Sequence, residues 1–363
     1  MKVLVPSLLV LIVAVTSPAA ASPRRRAVLP VAFPPCSVIT GSPAVTFTHD
    51  EGRTLAMPLE KLSGIGYTYG VAALDSMTLL SWHQSTLSVS TDAGCSWRPL
   101  AVLAADFPPT IAASHGRAFA WSDNRRFLVR YDARGVAILK APGSIGGLAI
   151  DASNPDRLRV GTNEDGVIWE SKNAGDSWDP VGRLTGDPTL IYRFAFNPAN
   201  LDHIVAGLAV WGAMVSRDGG RSWVSSFSSR ANVFSIVFSP ADPAWVWAMG
   251  LDLDASSGDP FQAKHIYLST DGGTSFRSVV DAGPTVTLVN GALLAAHPTN
   301  RNVLYFVFGT YFQRYGTDLF RYDEGTRGLT VKHNDYDDIN AIAFSPADPG
   351  LMYLGLEVES GVH

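Results

Sequence analysis

Apolar positions in this chain fall in short runs broken by Pro, Asn, Asp and Gly, and one arrangement of run and turn recurs. Ile150-Asp-Ala-Ser-Asn-Pro155, Phe194-Ala-Phe-Asn-Pro198, Ile236-Val-Phe-Ser-Pro240 and Ile342-Ala-Phe-Ser-Pro346 share it, with Ala295-Ala-His-Pro298 as a looser copy. Most continue through Asn or Asp into a second apolar run, such as Leu158 to Val160, His203 to Ala206, Val303 to Phe308 and Leu351 to Leu356. Proline has no N–H for a sheet ladder and presets a turn, so the pattern reads as strand, turn, strand.

A second repeat runs out of phase with the first. Ser90-Thr-Asp-Ala-Gly-Cys-Ser-Trp97, Ser171-Lys-Asn-Ala-Gly-Asp-Ser-Trp178, Ser216-Arg-Asp-Gly-Gly-Arg-Ser-Trp223 and Ser269-Thr-Asp-Gly-Gly-Thr-Ser-Phe276 all read Ser-x-Asp/Asn-x-Gly-x-Ser-aromatic, here called the box. A short acidic or amide side chain at Asp92, Asn173, Asp218 or Asp271 can fold onto nearby backbone N–H groups, and the glycine two residues on can take positive φ. The spacing predicts a tight hairpin, with Trp97, Trp178, Trp223 or Phe276 packed beneath the turn. Thr48-His-Asp50-Glu-Gly52-Arg-Thr54 keeps all but the aromatic, whereas Asp323-Glu-Gly325 and Asp132 with Gly135 are weaker copies.

The turn residues at 50, 92, 132, 173, 218, 271 and 323 mark seven units of roughly blade length, since a four-stranded propeller blade takes about 40 to 50 residues. Each unit is an inner strand, a turn, a second strand, a loop, a third strand, the box, and an outer strand. The first box has no inner-strand motif before it, and the motif ending at Pro346 has no box after it. Strands around Ala341 to Leu356 therefore join strands around Val45 to Leu59 in one blade. The expected fold is all-β, a seven-bladed β-propeller closed by N- and C-terminal strands, with protected sheet edges.

Composition sharpens this picture. Charged residues are sparse at 17%, while 33 Gly and 23 Pro suit short strands and many turns. One lysine, an apolar stretch from Leu4 to Val15 and Ala19-Ala20-Ala21 before Ser22 follow signal-peptide grammar. The expected organisation is a signal peptide at 1–21, a leader at 22–43 and one propeller over 44–363. The stretch is shorter than the roughly 20 residues that span a bilayer, so a secreted monomer with no membrane anchor is expected. A net charge of -5 argues against a nucleic-acid partner, because phosphate binding needs clustered Lys and Arg; Arg24 to Arg26 belong to the leader. In an oxidising compartment Cys36 and Cys95 can form one disulfide. No CxxC or HxxxH spacing suggests a metal. Asp252-x-Asp254-x-Ser256 opens like a calcium loop but has Ser257 where such a loop needs Gly. Neither a metal nor a cofactor is expected.

The boxes resemble those of the Asp-box, or BNR, repeat superfamily, which includes bacterial sialidases, xyloglucan-cleaving glycosidases, sortilin-type receptors, photosystem assembly factors and secreted actinomycete propellers. In that superfamily the box is a structural hairpin on the face away from the usual ligand site, which implies a structural role for Asp50, Asp92, Asn173, Asp218 and Asp271. Sialidases carry an Arg-Ile-Pro stretch before the first box, and none occurs here. The xyloglucan-cleaving relatives use a cleft between two propellers, whereas this chain has length for one. No Gly-x-Ser-x-Gly elbow is present either.

A non-catalytic binding module is the expectation, directed at an extracellular protein, such as an enzyme, or at a glycan; the alternative is a sialidase-like exo-glycosidase. The loops on the face opposite the boxes supply the candidate contacts. They include His83-Gln84, Asp123 to Arg126, Asn163 to Asp165, Asp252 to Lys264 and His333 to Asp338. Aromatic and arginine side chains dominate interface energetics, so Tyr192, Arg193, Trp211, Tyr311, Arg314 and Tyr336 are the candidate binding residues.

Overall fold

The computed structural model describes residues 34, 36–42, 44–60, 66–103, 110–122, 126–184, 190–256, 263–310, 316–336 and 338–358, all within the unit Phe33–His363. The proposed signal peptide, Tyr311 and Arg314 lie outside them. The described residues form strands arranged as seven blades. Blade 1 is Gly66–Ala73, Leu79–His83, Thr86–Ser90 and Arg98–Val102; blade 2 is Thr110–Ser114, Arg117–Trp121, Phe127–Asp132 and Gly135–Lys140; blade 3 is Ile145–Ile150, Leu158–Thr162, Val167–Ser171 and Asp179–Arg183. Blade 4 is Ile191–Asn197, Asn200–Leu208, Gly212–Ser216 and Val224–Ser225; blade 5 is Ala231–Phe238, Val246–Asp252, Lys264–Ser269 and Arg277–Asp281; blade 6 is Leu294–Ala296, Val303–Thr310, Gly316–Asp323 and Gly328–Asn334.

Blade 7 joins the two ends of the chain. Asp338–Phe344 pairs with Met352–Val358, which pairs in turn with Val45–Thr48 in the register Phe47 to Tyr353. Ala56 then donates its N–H to Phe47 O (2.9 Å), holding the chain after the box along the outer edge of this blade. Seven apolar clusters fill the seven interfaces between successive blades, including the one between blades 7 and 1 built on Phe47, Val71, Leu79 and Tyr353. A closed ring is thus the arrangement in which every blade buries both of its faces.

The box geometry accounts for the local folding. In blade 4, Ser216 Oγ–H donates to Asp218 Oδ1 (2.8 Å), and the Gly220 N–H donates to Ser216 Oγ (2.8 Å). Ser222 donates its N–H to Oδ1 (2.9 Å) and its Oγ–H to Oδ2 (2.6 Å) of the same aspartate. The same set recurs around Asp50, Asp92 and Asp271, and around Asn173 with the last bond reversed, the amide donating to Ser177 Oγ. Gly220 has φ +89°, and a Cβ there would lie 2.7 Å from Ile168 of blade 3, so only glycine fits both the turn and the neighbouring blade. Trp97 and Trp223 donate their indole N–H to Gly94 O (3.1 Å) and Gly220 O (3.0 Å), Trp178 packs into the interface between blades 2 and 3, and Phe276 stacks on Phe227 at 5.3 Å. Asp132 closes a plain two-residue hairpin opposite Gly135, so blade 2 is a complete blade without the box.

The last residues of the assigned leader are part of the propeller's periphery. Val38–Ile39 pairs in parallel with Met57–Pro58 of blade 7, while Thr40 exchanges hydrogen bonds with Cys95 O and Trp97 N of the blade 1 box (2.9 Å each). The Cys36–Cys95 disulfide pins this strap. It lies across the seam between blade 7 and blade 1.

Two predictions follow from these observations. The disulfide spans 59 residues, for which loop-closure entropy gives about 4 kcal/mol. Replacing Cys36 and Cys95 together by Ser is therefore expected to lower unfolding stability in urea by roughly that amount; an unchanged curve would mean the strap does not secure the seam. For pH, hydrogen bonds from the Ser222 side chain and backbone hold the Asp218 carboxyl well below the usual carboxylate range. A lowered folded-state pKa contributes stability that is complete above the unfolded value of about 4 and is lost as pH falls. Urea midpoints should accordingly stay level from pH 7 to about 5 and fall below about 4. Asn173 occupies the same place in blade 3, with its amide donating to Ser177 Oγ (2.9 Å). Asp218→Asn should then cost about 1 kcal/mol at pH 7, with the gap to wild type closing towards pH 3.

Candidate functional site

The chain direction within each blade defines two faces. Boxes and the turns between first and second strands share one; the loops between second and third strands and the connections between blades share the other. Tyr192, Arg193, Trp211 and Tyr336 all belong to the second face, whose centre is the mouth of the channel enclosed by the inner strands.

At this mouth the inner strands break register in the same way. Single residues bulge out of the ladder at Tyr69 in blade 1, Gly146 in blade 3, Tyr192 in blade 4, Phe234 in blade 5 and Asn340 in blade 7. A bulge re-aims its side chain and sharpens the local twist. The Tyr192 and Phe234 rings meet at 4.7 Å, joining blades 4 and 5, and Asn340 donates its amide N–H to the buried Glu357 carboxylate. Burial raises the Tyr69 hydroxyl pKa, and Glu357 raises it further.

Glycines on the second strands permit these bulges. Gly161, Gly207 and Gly355 stand opposite Gly147, Arg193 and Ala341, the residues just past each bulge. A Cβ on Gly207 would lie 2.5 Å from Val233 O of blade 5, and one on Gly161 would strike the Phe194 ring. Only without a side chain there can the next blade's inner strand come this close.

The channel has a volume of about 750 Å³ and is lined chiefly by small and apolar side chains, among them Ala112, Ala149, Ala195, Ile236 and Val289. Among the described lining residues Arg193 is the single arginine and Asp338 the single carboxylate. This is not the cluster of arginines and paired carboxylates that a sialidase-like site needs. A serine, a histidine and an aspartate do meet in blade 5. However, Asp281 Oδ1 (2.7 Å) and Ser278 Oγ (3.5 Å) both face Nδ1 of His265, so the imidazole is not interposed between nucleophile and carboxylate.

Trp211 is the most exposed of the candidate residues described, at 58%. It sits on the loop 209–212, where Val210 has φ +68°. A β-branched residue rarely adopts that conformation, and it persists where surrounding contacts over-determine it. Those contacts are present: Val210 N–H donates to Asn232 Oδ1 (2.8 Å), Ala231 N–H to Val210 O (3.0 Å) and Ala209 N–H to Leu190 O (3.0 Å). The loop thus holds an indole in solvent beside the exposed Leu190 and one blade away from Phe234. Tyr336 instead packs against the apolar cluster between blades 6 and 7. The acidic loop of blade 5 is occupied internally, with Asp252 accepting from the N–H groups of Asp254 and Ala255, and Asp254 from Arg230 N–H. Tyr69, Phe234 and Asn340 were not among the sequence candidates. The signal for them was the repeated second-strand glycine in Val160-Gly161, Ala206-Gly207, Met249-Gly250 and Leu354-Gly355.

No family model matches the chain. It is 44% identical over 334 residues to the "Dispase autolysis-inducing protein" of Streptomyces mobaraensis, covering 89% of both chains. Solved structures with the same fold include "YCF48 bound to D1 peptide" (TM-score 0.55, 15% identity, 81% of this chain and 95% of that one). Another is the GH74 xyloglucanase from Xanthomonas campestris (TM-score 0.59, 15% identity, 81% of this chain and 51% of that one). No helix among the described residues is long and apolar enough to cross a membrane.

The close approach at the mouth is open to test by substitution. Gly207→Ala is expected to cost about 1–3 kcal/mol in urea unfolding, because a carbonyl oxygen cannot move aside as a side chain can. Gly283→Ala, where a Cβ would meet nothing within 4 Å, should stay within about 0.5 kcal/mol of wild type. Equal costs at the two positions would remove steric closeness as the reason for the second-strand glycine.

Proposed function

The chain belongs to the family of the Dispase autolysis-inducing protein, and from that membership we propose that it is a secreted, non-catalytic module that binds an extracellular protease through the face opposite the boxes. The relative's name supplies the class of partner, and the disulfide is consistent with an oxidising compartment. The observation that carries the assignment of the face is Trp211: backbone strain is spent on holding a large apolar side chain in water, which benefits a surface that a partner later covers. Tyr192 and Phe234 extend that surface towards the channel. Indole and phenol rings give large contact area at low entropic cost, which suits protein recognition. Arg193 as the one arginine among the described channel-lining residues, and the order of the blade 5 serine, histidine and aspartate, favour binding over hydrolysis.

The test is to mix the purified chain with dispase and follow co-elution on gel filtration, the dispase band and residual proteolytic activity. Complex formation with loss of the dispase band is expected, the chain itself remaining intact. Trp211→Ala should weaken binding by about 2 kcal/mol, roughly thirtyfold, without changing the urea midpoint, since the indole is mostly in solvent. Absence of any complex would overturn the protease assignment. Turnover of a fluorogenic sialoside would instead favour the exo-glycosidase reading, and retention on immobilised glycans a lectin-like one.

A further inference from the structure

Arg193 differs from the other described arginines. Those withdrawn from solvent are tied to carboxylates: Arg117 to Asp132 and Asp156, Arg130 to Asp176, Arg157 and Arg159 to Glu170, and Arg321 to Glu51. Those whose side chains make no such bond, namely Arg53, Arg98, Arg134, Arg217, Arg221 and Arg327, are exposed. Arg193 is half-buried, lines the channel, and has neither a hydrogen bond nor an ion pair among the described residues. The lining carboxylate, Asp338, belongs to blade 7, three blades away. Partial desolvation of a guanidinium with no acceptor is unfavourable, and a carboxylate binding it in the two-pronged geometry would offset that cost.

The surroundings narrow the occupant. Immediately before Arg193 the bulged Tyr192 meets Phe234 at a tilt, Trp211 and Leu190 stand exposed at the same blade's mouth, and Val289, in the connection from blade 5 to blade 6, is 37% exposed. One cation set among apolar and aromatic side chains matches an acidic group flanked by apolar ones. Resting on the protein-binding reading above, we infer that the partner inserts a peptide segment whose carboxylate, from Asp, Glu or a chain terminus, pairs with Arg193 while its neighbouring apolar side chains rest on Tyr192 and Trp211.

Two fluorescein-labelled hexapeptide amides, Gly-Phe-Leu-Glu-Gly-Gly and its Gln counterpart, test this by fluorescence anisotropy against the full chain. The Glu peptide should bind at least tenfold more tightly than the Gln peptide. Arg193→Gln should abolish that preference while leaving the urea midpoint unchanged, because Arg193 supports no other group. Arg193→Lys, a charge without the planar fork, should retain part of it. Trp211→Ala should weaken both peptides equally. Equal affinities for the two peptides, binding of neither at millimolar concentration, or a preference that survives Arg193→Gln would each overturn the inference. Capture of dispase alongside equal peptide affinities would leave the protein-binding reading standing and remove only the acidic segment. A Glu preference without dispase capture would do the reverse.

Discussion

A hydroxyl, a carboxylate and a glycine N–H, closed on one another within seven residues, hold the outer half of a blade in shape and offer a socket to the blade before it. The residue ahead of the box glycine turns its carbonyl outward, and the preceding blade supplies the donor: Tyr353 Oη–H to Ala93 O (3.0 Å), Arg130 to Ala174 O (2.9 Å) and His203 to Gly272 O (2.6 Å). The glycine itself admits that blade's apolar side chains, such as Tyr353 at Gly94 and Ile168 at Gly220. Local turn chemistry and the packing of blade on blade are therefore one interaction seen from two sides. Where the box is missing, arginine takes over: Asp132 in blade 2 is held by Arg130 at 3.4 Å, and Asp323 in blade 6 by Arg321 at 3.2 Å. The ring is uniform although its locks are not.

What could be foreseen from the residues divides along the same line. Strand order, blade number and closure were legible because the box and the Pro turns are local: each is completed by side chains within a few positions of itself. The disulfide was legible as a pairing of the two cysteines, but not as a strap across the seam, because the parallel pairing of Val38–Ile39 with Met57–Pro58 leaves no periodic trace. The faces of Tyr192, Arg193 and Trp211 followed from strand order alone. The role of each did not, since it depends on whether a neighbouring blade covers it. Phe234 covers Tyr192, and the interface between blades 6 and 7 holds Tyr336, whereas Trp211 stays in water. The bulges that shape the mouth involve registers across strands, which composition and spacing do not encode directly.

The two faces also differ in what they do with polar groups. On the box face arginines pass from one blade to the next, as in Arg117 to Asp156, Arg159 to Asp202 and Arg277 to Glu324. These bonds span interfaces already sealed by apolar clusters, so their contribution is to fix the angle between blades more than to add stability. The mouth face has such a bridge too, Arg126 to Glu164 (3.0 Å), but there Arg193 has no partner among the described residues, Val210 is strained and Trp211 stays in water. Departures of this kind from local consistency are expected where a chain keeps a surface ready for something else.

Rigidity on one face is what makes those departures affordable on the other. A strained loop relaxes unless its surroundings forbid it, and the 209–212 loop is held by Asn232, Ala231 and Leu190, all at the ends of inner strands anchored in the ring. Because that anchoring comes from the sealed interfaces and the box sockets on the far side, exposed side chains at the mouth are free to change without loss of the fold, whereas the close-packed second-strand glycines are not. The same scaffold therefore supports the hydrolase and peptide-binding chains that share its shape, and chemistry has to be read from the mouth. Among the described residues, the channel lining holds one arginine and one carboxylate, and the rim beside them an aromatic pair and an exposed indole.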